Sequence, residues 1–415
     1  MSKGEKTTVF IKILANKKGQ RYNELSMLKY IKIVMRTRTK GVIIMEKSKV
    51  YFTTFKTSYT ENIPAKLKRL ILTAGIKDID FTDKYAAIKI HFGELGNLAF
   101  LRPNYAKVVV DIVKELGGKV FLTDCNTLYV GSRKNALDHL DTAYENGFTP
   151  FSTGCHVIIG DGLKGTDEEL VPINGEYVKE AKIGRAVMDA DVFISLTHFK
   201  GHEMAGFGGA LKNIGMGCGS RAGKMEMHSE GKPYVNQENC IGCGMCTKVC
   251  AHTGITVTDK KASINHDNCV GCGRCIGVCP KDAVEPSFGE SNDIMNYKMA
   301  EYSQAVLKDR PHFHISIVCD VSPNCDCHAE NDIPIIPNVG MFASFDPVAL
   351  DVACADACNR QPVIDGSVLQ ENQNHDHEEG HDHFHITHPD TNWKSCVEHA
   401  EKIGLGSREY ELVEI

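Results

Sequence analysis

The stretch YAAIKIHFGELGNLAFLRPNYAKVVVDIVKELGGKVFL, residues 85–122, decides the fold class. Residues 85–92 and 119–122 are short apolar runs, and residues 105–116 carry apolar side chains at helical spacing and stop at a glycine pair. Two strands joined by a helix need a crossover connection and therefore run parallel. The same alternation continues on both sides. Residues 49–52, 157–159 and 192–196 read as further strands, and 63–74, 134–146 and 178–188 as further helices. After about residue 296 the pattern resumes with a helix (298–307), a strand (314–318) and helices at 347–357 and 393–403. The prediction is an α/β domain with a mostly parallel sheet, residues 45–230 and 287–415, interrupted by an insert at 231–286.

The 415 residues leave room for two or three domains. Hydrophobic residues at 42% and charged residues at 24% are close to globular averages, which excludes a disordered or fibrous chain. A net charge of −6 gives no electrostatic reason to bind nucleic acid or an anionic membrane surface, and neither is expected as a partner. No run approaches the roughly 18 apolar residues of a membrane span, and no signal segment is evident, so a cytoplasmic location is expected. Residues 1–44 form a basic extension. Because Lys40-Gly41-Val42 can be encoded by a ribosome-binding sequence, Met45 is the expected natural start and the extension need not be native.

Cysteine is the outlier, at 17 residues. In a chain without an export signal this points to metal ligation or redox chemistry rather than disulfides. Cys240, Cys243, Cys246 and Cys250 recur, displaced by 29 residues, at Cys269, Cys272, Cys275 and Cys279. Each copy reads C-x-x-C-x-x-C-x-x-x-C, in which three thiolates can wrap one cubane while the fourth reaches the other. Cys240, Cys243, Cys246 and Cys279 are thus expected to hold one 4Fe-4S cluster, and Cys269, Cys272, Cys275 and Cys250 a second. Structural zinc also uses CxxC pairs but does not call for this duplicated eight-cysteine pattern. The insert resembles bacterial two-cluster ferredoxins, with Pro280 after the fourth cysteine of the second copy and Ala251 in place of proline in the first.

Residues 196–229, LTHFKGHEMAGFGGALKNIGMGCGSRAGKMEMHS, begin where a buried strand ends, the place where open parallel sheets bind ligands. Gly206, Gly208 and Gly209 allow close backbone approach to a phosphate or cofactor, although their spacing is neither that of a phosphate loop nor that of a dinucleotide fingerprint. His198, Lys200, His202, Lys212, Asn213, Lys224 and His228 gather at the same strand end and mark a candidate site. Together with KIHFGE (89–94), LRPNYAK (101–107), TDCNTLYVGSR (123–133), FASFDPVALD (342–351) and the insert, this segment resembles the iron–sulfur branch of the domain-of-unknown-function family numbered 362. The resemblance covers roughly residues 45–415. It implies an α/β fold with a ferredoxin insert and no assigned reaction.

A more distant likeness concerns His202, Lys212 and His228, whose spacings of 10 and 16 are similar to those of the nickel-pincer lactate racemase family. That likeness implies that His202 is a proton or hydride partner, Lys212 the covalent anchor of a nucleotide-type cofactor and His228 a nickel ligand. Arg102-Pro103 is similar to that family's substrate-binding Arg-Pro, which makes Arg102 a binding candidate. A second catalytic histidine has no clear counterpart, His91 and His139 being the nearest. Cys319, Cys325 and Cys327, beside Asp320 and Asp326, are placed to hold a metal or to act as a redox pair. Residues 374–388 read as a mobile His-rich loop with the composition to capture nickel or zinc.

Two classes of function follow. One is an iron–sulfur oxidoreductase that passes electrons between the clusters and a small-molecule substrate or cofactor in the α/β domain, served by an electron-transfer partner protein. The alternative is a non-catalytic electron carrier or metal-handling factor, or a nickel-pincer-type racemase-like enzyme. A closed pocket lined by the candidate His and Lys residues separates an enzyme from a carrier.

Overall fold

Eight strands build the central sheet: β1 (Ser48–Thr54), β2 (Tyr85–Lys89), β3 (Lys119–Asp124), β4 (His156–Ile159), β5 (Val192–His198), β6 (His312–Val318), β7 (Gly340–Ser344) and β8 (Tyr410–Glu414). Their spatial order is β8-β1-β7-β6-β5-β2-β3-β4. Every neighbouring pair is parallel except those made by β7, which runs against both β1 and β6. The molecule was described from a computed structural model, which covers residues 47–415 apart from 130, 229–231, 287–290 and 376–380. The basic extension, Met45 and the middle of the His-rich stretch lie outside the described residues.

Burial on both faces explains why the strands read as near-continuous apolar runs. In β5 all seven residues are buried. Successive side chains alternate faces: Phe193 joins one apolar core and Ile194 the other. On the Ile194 side pack helices α1 (Ile63–Thr73), α2 (Pro103–Glu115) and α3 (Ala136–Glu145), through residues such as Leu67, Leu70, Val109, Val113 and Ala143. On the Phe193 side pack α4 (Ala210–Cys218), α5 (Arg221–His228), α6 (Asn292–Leu307), α7 (Pro347–Asn359) and α8 (Trp393–Lys402), through Leu211, Ile214, Met299, Leu350 and Val397 among others. Local capping agrees with this layout. Asn62, Asn135 and Asp346 accept backbone N–H bonds at the starts of α1, α3 and α7, with Pro in the first turn of α1 and at the start of α7.

The insert repeats its own structure as it repeats its sequence. Helices Met245–Val249 and Arg274–Val278 are 29 residues apart, each preceded by a left-handed glycine, Gly244 (φ 73) and Gly273 (φ 67). Strand Pro233–Val235 pairs with Val284–Pro286, and Ile255–Thr258 with Lys261–Ile264. None of the described helices is long and apolar enough to cross a membrane.

Two sequence expectations are corrected. Residues 178–188 are not one helix: Glu180–Gly184 pairs antiparallel with Glu168–Pro172, and only Arg185–Met188 is helical. The reversal is held by Glu301 from α6, whose carboxylate accepts the N–H groups of Glu176, Tyr177 and Val178 at 2.7–3.2 Å. A contact spanning more than a hundred residues leaves no local periodicity to read. The His-rich stretch is not a loop throughout, because His383–Thr387 is a short helix with His383 and Phe384 buried. Its N-cap Asp382 accepts the His385 N–H and the Trp393 Nε1–H, and Phe384 sits edge-on to Phe199 and Phe207.

Candidate functional site

Strands β2, β3, β5 and β6 all end on one edge of the sheet, and a cavity of about 60 Å³ opens there. Its lining comes from the strand ends and the segments that follow them. Lys89 and His91 come from β2, Asp124, Thr127, Tyr129 and Arg133 from β3, and Lys200 from beyond β5. Gly208, Gly209, Lys212 and Asn213 contribute from the start of α4, Lys224 from α5, and Cys325 and Cys327 from the loop after β6.

Five cations face this cavity. Lys89 pairs with Asp124 at 3.0 Å, Arg133 with Glu94 at 3.1 Å and Lys200 with Asp326 at 3.2 Å. Lys224 donates to the Gly219 carbonyl at 2.6 Å, and Lys212 Nζ lies 3.4 Å from Cys325 Sγ. Neither Lys212 nor Lys224 has a carboxylate partner among the described residues, so the cavity keeps excess positive charge and suits an anionic ligand. Burial opposes ionisation of Asp124, but Lys89, His91, His139 and Arg133 outweigh it and hold its carboxyl well below the usual range. Burial also opposes the Lys212 ammonium, which Cys325, Cys327 and Glu203 nevertheless hold up at about 12.

The structure sorts the residues singled out in the sequence. Gly208, Gly209 and Lys212 line the cavity. Gly209 is required by Asp351, whose carboxylate accepts the N–H groups of Ala210 and Leu211 at 2.6 and 2.9 Å and would stand 2.4 Å from a Cβ at that position. Gly206, in contrast, has φ +84 and turns against Trp393, away from the cavity lining. Arg102 is largely exposed, forms an ion pair with Asp320 at 3.5 Å and does not line the cavity. His202 is buried beside it, its Nδ1 accepting from the Met204 and Ala205 N–H groups, both at 3.1 Å. His228 ends α5 with Nε2 3.0 Å from the Tyr129 hydroxyl, and burial pushes its imidazole down to about 3.

Cys319 does not join Cys325 and Cys327. The sulfurs of the latter two instead converge with the His202 ring, all three donor atoms lying within 4.8 Å of one another. Asp326 between them is buried and fixes the loop, accepting from His198 Nδ1 at 2.9 Å and pairing with Lys200. Lys89, Asp124, Tyr129 and Arg133 were named in the sequence only as parts of family-like segments. Buried charge distributed over two strand ends has no single local signature, so their meeting is a tertiary fact.

In the insert, two small hollows of about 20 Å³ each carry the cysteines. Cys250, Cys269, Cys272 and Cys275 line one, and Cys240, Cys243, Cys246 and Cys279 the other. Each hollow thus takes three cysteines from one copy and the fourth from its mate. The Gly254 N–H bonds Cys250 Sγ at 3.3 Å and the Ala283 N–H bonds Cys279 Sγ at 3.2 Å, equivalent contacts 29 residues apart. Four convergent thiols with N–H donors to sulfur are the donor chemistry an iron–sulfur cubane takes, and the residues fit that group.

A family model described as a domain of unknown function, DUF362, matches residues 86–356, which contain every residue that lines the cavity. The chain belongs to this family. No curated protein matches it in sequence. Two solved structures are similar to this DUF362 protein: one of a Thermotoga maritima protein (13% identity, TM-score 0.37) and a lactate racemase apoprotein from Thermoanaerobacterium thermosaccharolyticum (11% identity, TM-score 0.31). They cover 71% and 66% of the chain, which spans 57% and 51% of their own lengths.

One of those residues, within the DUF362 match, joins the two halves of the site. Thr127 and Tyr129 line the cation-rich cavity, while Leu128 between them belongs to the apolar core of the insert with Cys240, Cys246 and Cys275. Met225, next to cavity-lining Lys224, belongs to that core as well. Arg221 and Lys134 fasten the insert further: Arg221 packs over Gly273 and Gly277, and Lys134 pairs with Asp282.

Proposed function

We propose that this chain is an iron–sulfur oxidoreductase that binds a small anionic substrate in the cavity at the C-terminal edge of its sheet. The observation that carries the reading is the segment 127–129, which borders the cavity and the cysteine core of the insert at once. Cys240, Cys243, Cys246 and Cys279 would hold one 4Fe-4S cluster and Cys250, Cys269, Cys272 and Cys275 the other, and two such clusters supply one-electron transfer when bound. The host residues bind and orient. Lys212 and Lys224 attract the anion, the Arg133 Nη2 offers a buried donor with no hydrogen-bond partner among the described residues, and Gly208 and Gly209 leave the backbone open to it.

A simple carrier needs only an exposed cluster edge, and a cavity lined by five cations beside the cysteine core favours the enzyme. The racemase-like alternative is not adopted. His202 and His228 are outside the cavity lining, and His228 Nε2 is engaged by the Tyr129 hydroxyl.

Anaerobically purified protein should contain about eight irons and eight labile sulfides per chain, and its visible absorption should bleach with dithionite. In Cys250→Ser the damage should fall on the site built from Cys269, Cys272 and Cys275. Stoichiometric zinc without sulfide would overturn the reading.

A further inference from the structure

We propose that Cys325 and Cys327 form a reversible dithiol–disulfide pair that reduces small anionic disulfides admitted to the cavity. This rests on the reading above for its electron supply. Both sulfurs line the cavity, and they lie within 4.8 Å of each other. The two residues occupy positions one and three of a turn closed by the His328 N–H to the Cys325 carbonyl at 3.0 Å, a separation from which a disulfide can close.

The same three donor atoms, His202, Cys325 and Cys327, are also spaced for a metal, and the imidazole decides between the two uses. Two backbone N–H groups point at His202 Nδ1, so that nitrogen is an acceptor and Nε2 carries the proton. A metal-ligating imidazole needs the reverse, a free Nε2 lone pair with Nδ1–H donating outward. As arranged, Nε2–H is a donor beside the two sulfurs and suits a thiolate. Lys212 Nζ, 3.4 Å from Cys325 Sγ, adds a fixed positive charge. The hydrogen bond from Cys327, then Lys212 and His202, hold the Cys325 thiol well below its ordinary value against the effect of burial.

The Cys325 thiolate attacks one sulfur of the bound disulfide, forming a mixed disulfide and expelling one substrate thiolate, which takes the Cys327 proton. Cys327 then attacks Cys325 Sγ, the Cys325–Cys327 bond forms, and the second substrate thiolate leaves and is protonated from water. One substrate disulfide becomes two thiols, and the dithiol becomes a disulfide. Two electrons, which the iron–sulfur module supplies one at a time, and one proton from solvent restore the Cys325 thiolate and the Cys327 thiol.

The test uses anaerobic protein with its clusters in place, equilibrated in glutathione buffers from fully reduced to fully oxidised, then alkylated and mapped by mass. Cys325 and Cys327 should lose label together and appear as one peptide lighter by two hydrogens. In Cys327→Ser the reaction should stop at a glutathione adduct on Cys325. Oxidised glutathione, rich in carboxylates, should oxidise the pair roughly tenfold or more faster than the dication cystamine. That preference should collapse in Lys212→Met. A pair that stays reduced in the most oxidising buffer, or one stoichiometric zinc lost in Cys327→Ser, overturns the proposal. Equal rates with the two disulfides overturn the anionic class. Iron and sulfide measured on the same samples separate the readings: inert thiols beside intact clusters sink this proposal alone, and absent clusters beside an exchanging pair sink the other.

Discussion

Asp351 shows how one buried carboxylate places the chemistry. It accepts the first two N–H groups of α4, the helix that carries Lys212 and Asn213 into the cavity, and it is fully buried. Burial pushes its carboxyl up to about 7, against an ordinary value near 3.8. Its folded-state value is raised, so the stability it contributes is complete below about pH 3.8 and is lost as pH rises towards 7. Asp351→Asn removes that loss, and the stability gap between wild type and variant should shift in favour of the variant as pH rises from 4 to 7. Thermal or denaturant midpoints at several pH values check this; a gap that does not change with pH would remove the group from the titration. Gly209→Ala should act on the same contact, since its Cβ would press on the Asp351 carboxylate, and should weaken the cap by about 1 kcal/mol or more. Its signature in the site would be reduced anion binding with the iron content unchanged.

At the level of elements, the short helix His383–Thr387 and the loop 127–129 do more than their length suggests. Phe384 is fully buried in the aromatic group with Phe199, Phe207 and Trp393, so Phe384→Ala should cost about 3–5 kcal/mol, measurable by urea denaturation. A loss under about 1 kcal/mol would mean that this helix is not anchored as described. Leu128→Ala removes the residue by which the cavity rim meets the cysteine core. We expect the insert to open locally, with faster proteolytic nicking between residues 231 and 286 while the central sheet stays protected, and limited proteolysis followed by mass mapping would show it. Uniform loss of protection along the chain would contradict local opening around residues 231–286.

For the whole molecule, histidines that are buried, as His139 and His228 are, or half-buried, as His312 is, make acid a specific threat. Burial pushes His139 and His228 down to about 3 and His312 down to about 4, from an ordinary 6.5. Their folded-state values are depressed, so they stay neutral inside while the unfolded chain takes up protons below about pH 6.5. Each such group removes roughly 1.4 kcal/mol per pH unit as pH falls from 6.5 towards its folded value. The unfolding midpoint should therefore drop steeply between pH 6.5 and 4.5, and His139→Gln, which cannot titrate, should lessen the slope. A midpoint independent of pH over that interval would show that these imidazoles are solvated.

The sequence by itself determined the parallel α/β sheet, because strands buried on both faces must be apolar throughout and helices covering them must be periodic. It also determined the cysteine framework, because a 29-residue repeat of four thiols is a local pattern that survives without any knowledge of packing. The exchange of the fourth cysteine between copies followed from spacing and is the arrangement of the two hollows. What only tertiary structure decided are the meetings of distant segments: Glu301 holding residues 176–178 at the turn between Glu168–Pro172 and Glu180–Gly184, Asp351 setting α4, and Cys325 and Cys327 facing Lys212 and His202 rather than Cys319. Gly206 and Arg102 were equally plausible in the chain as cavity residues, yet one turns against Trp393 and the other toward solvent. A residue's type and spacing fix what it can bind. Which side of a strand end it leaves from fixes what it meets, and that direction is set by long-range packing that no window of sequence contains.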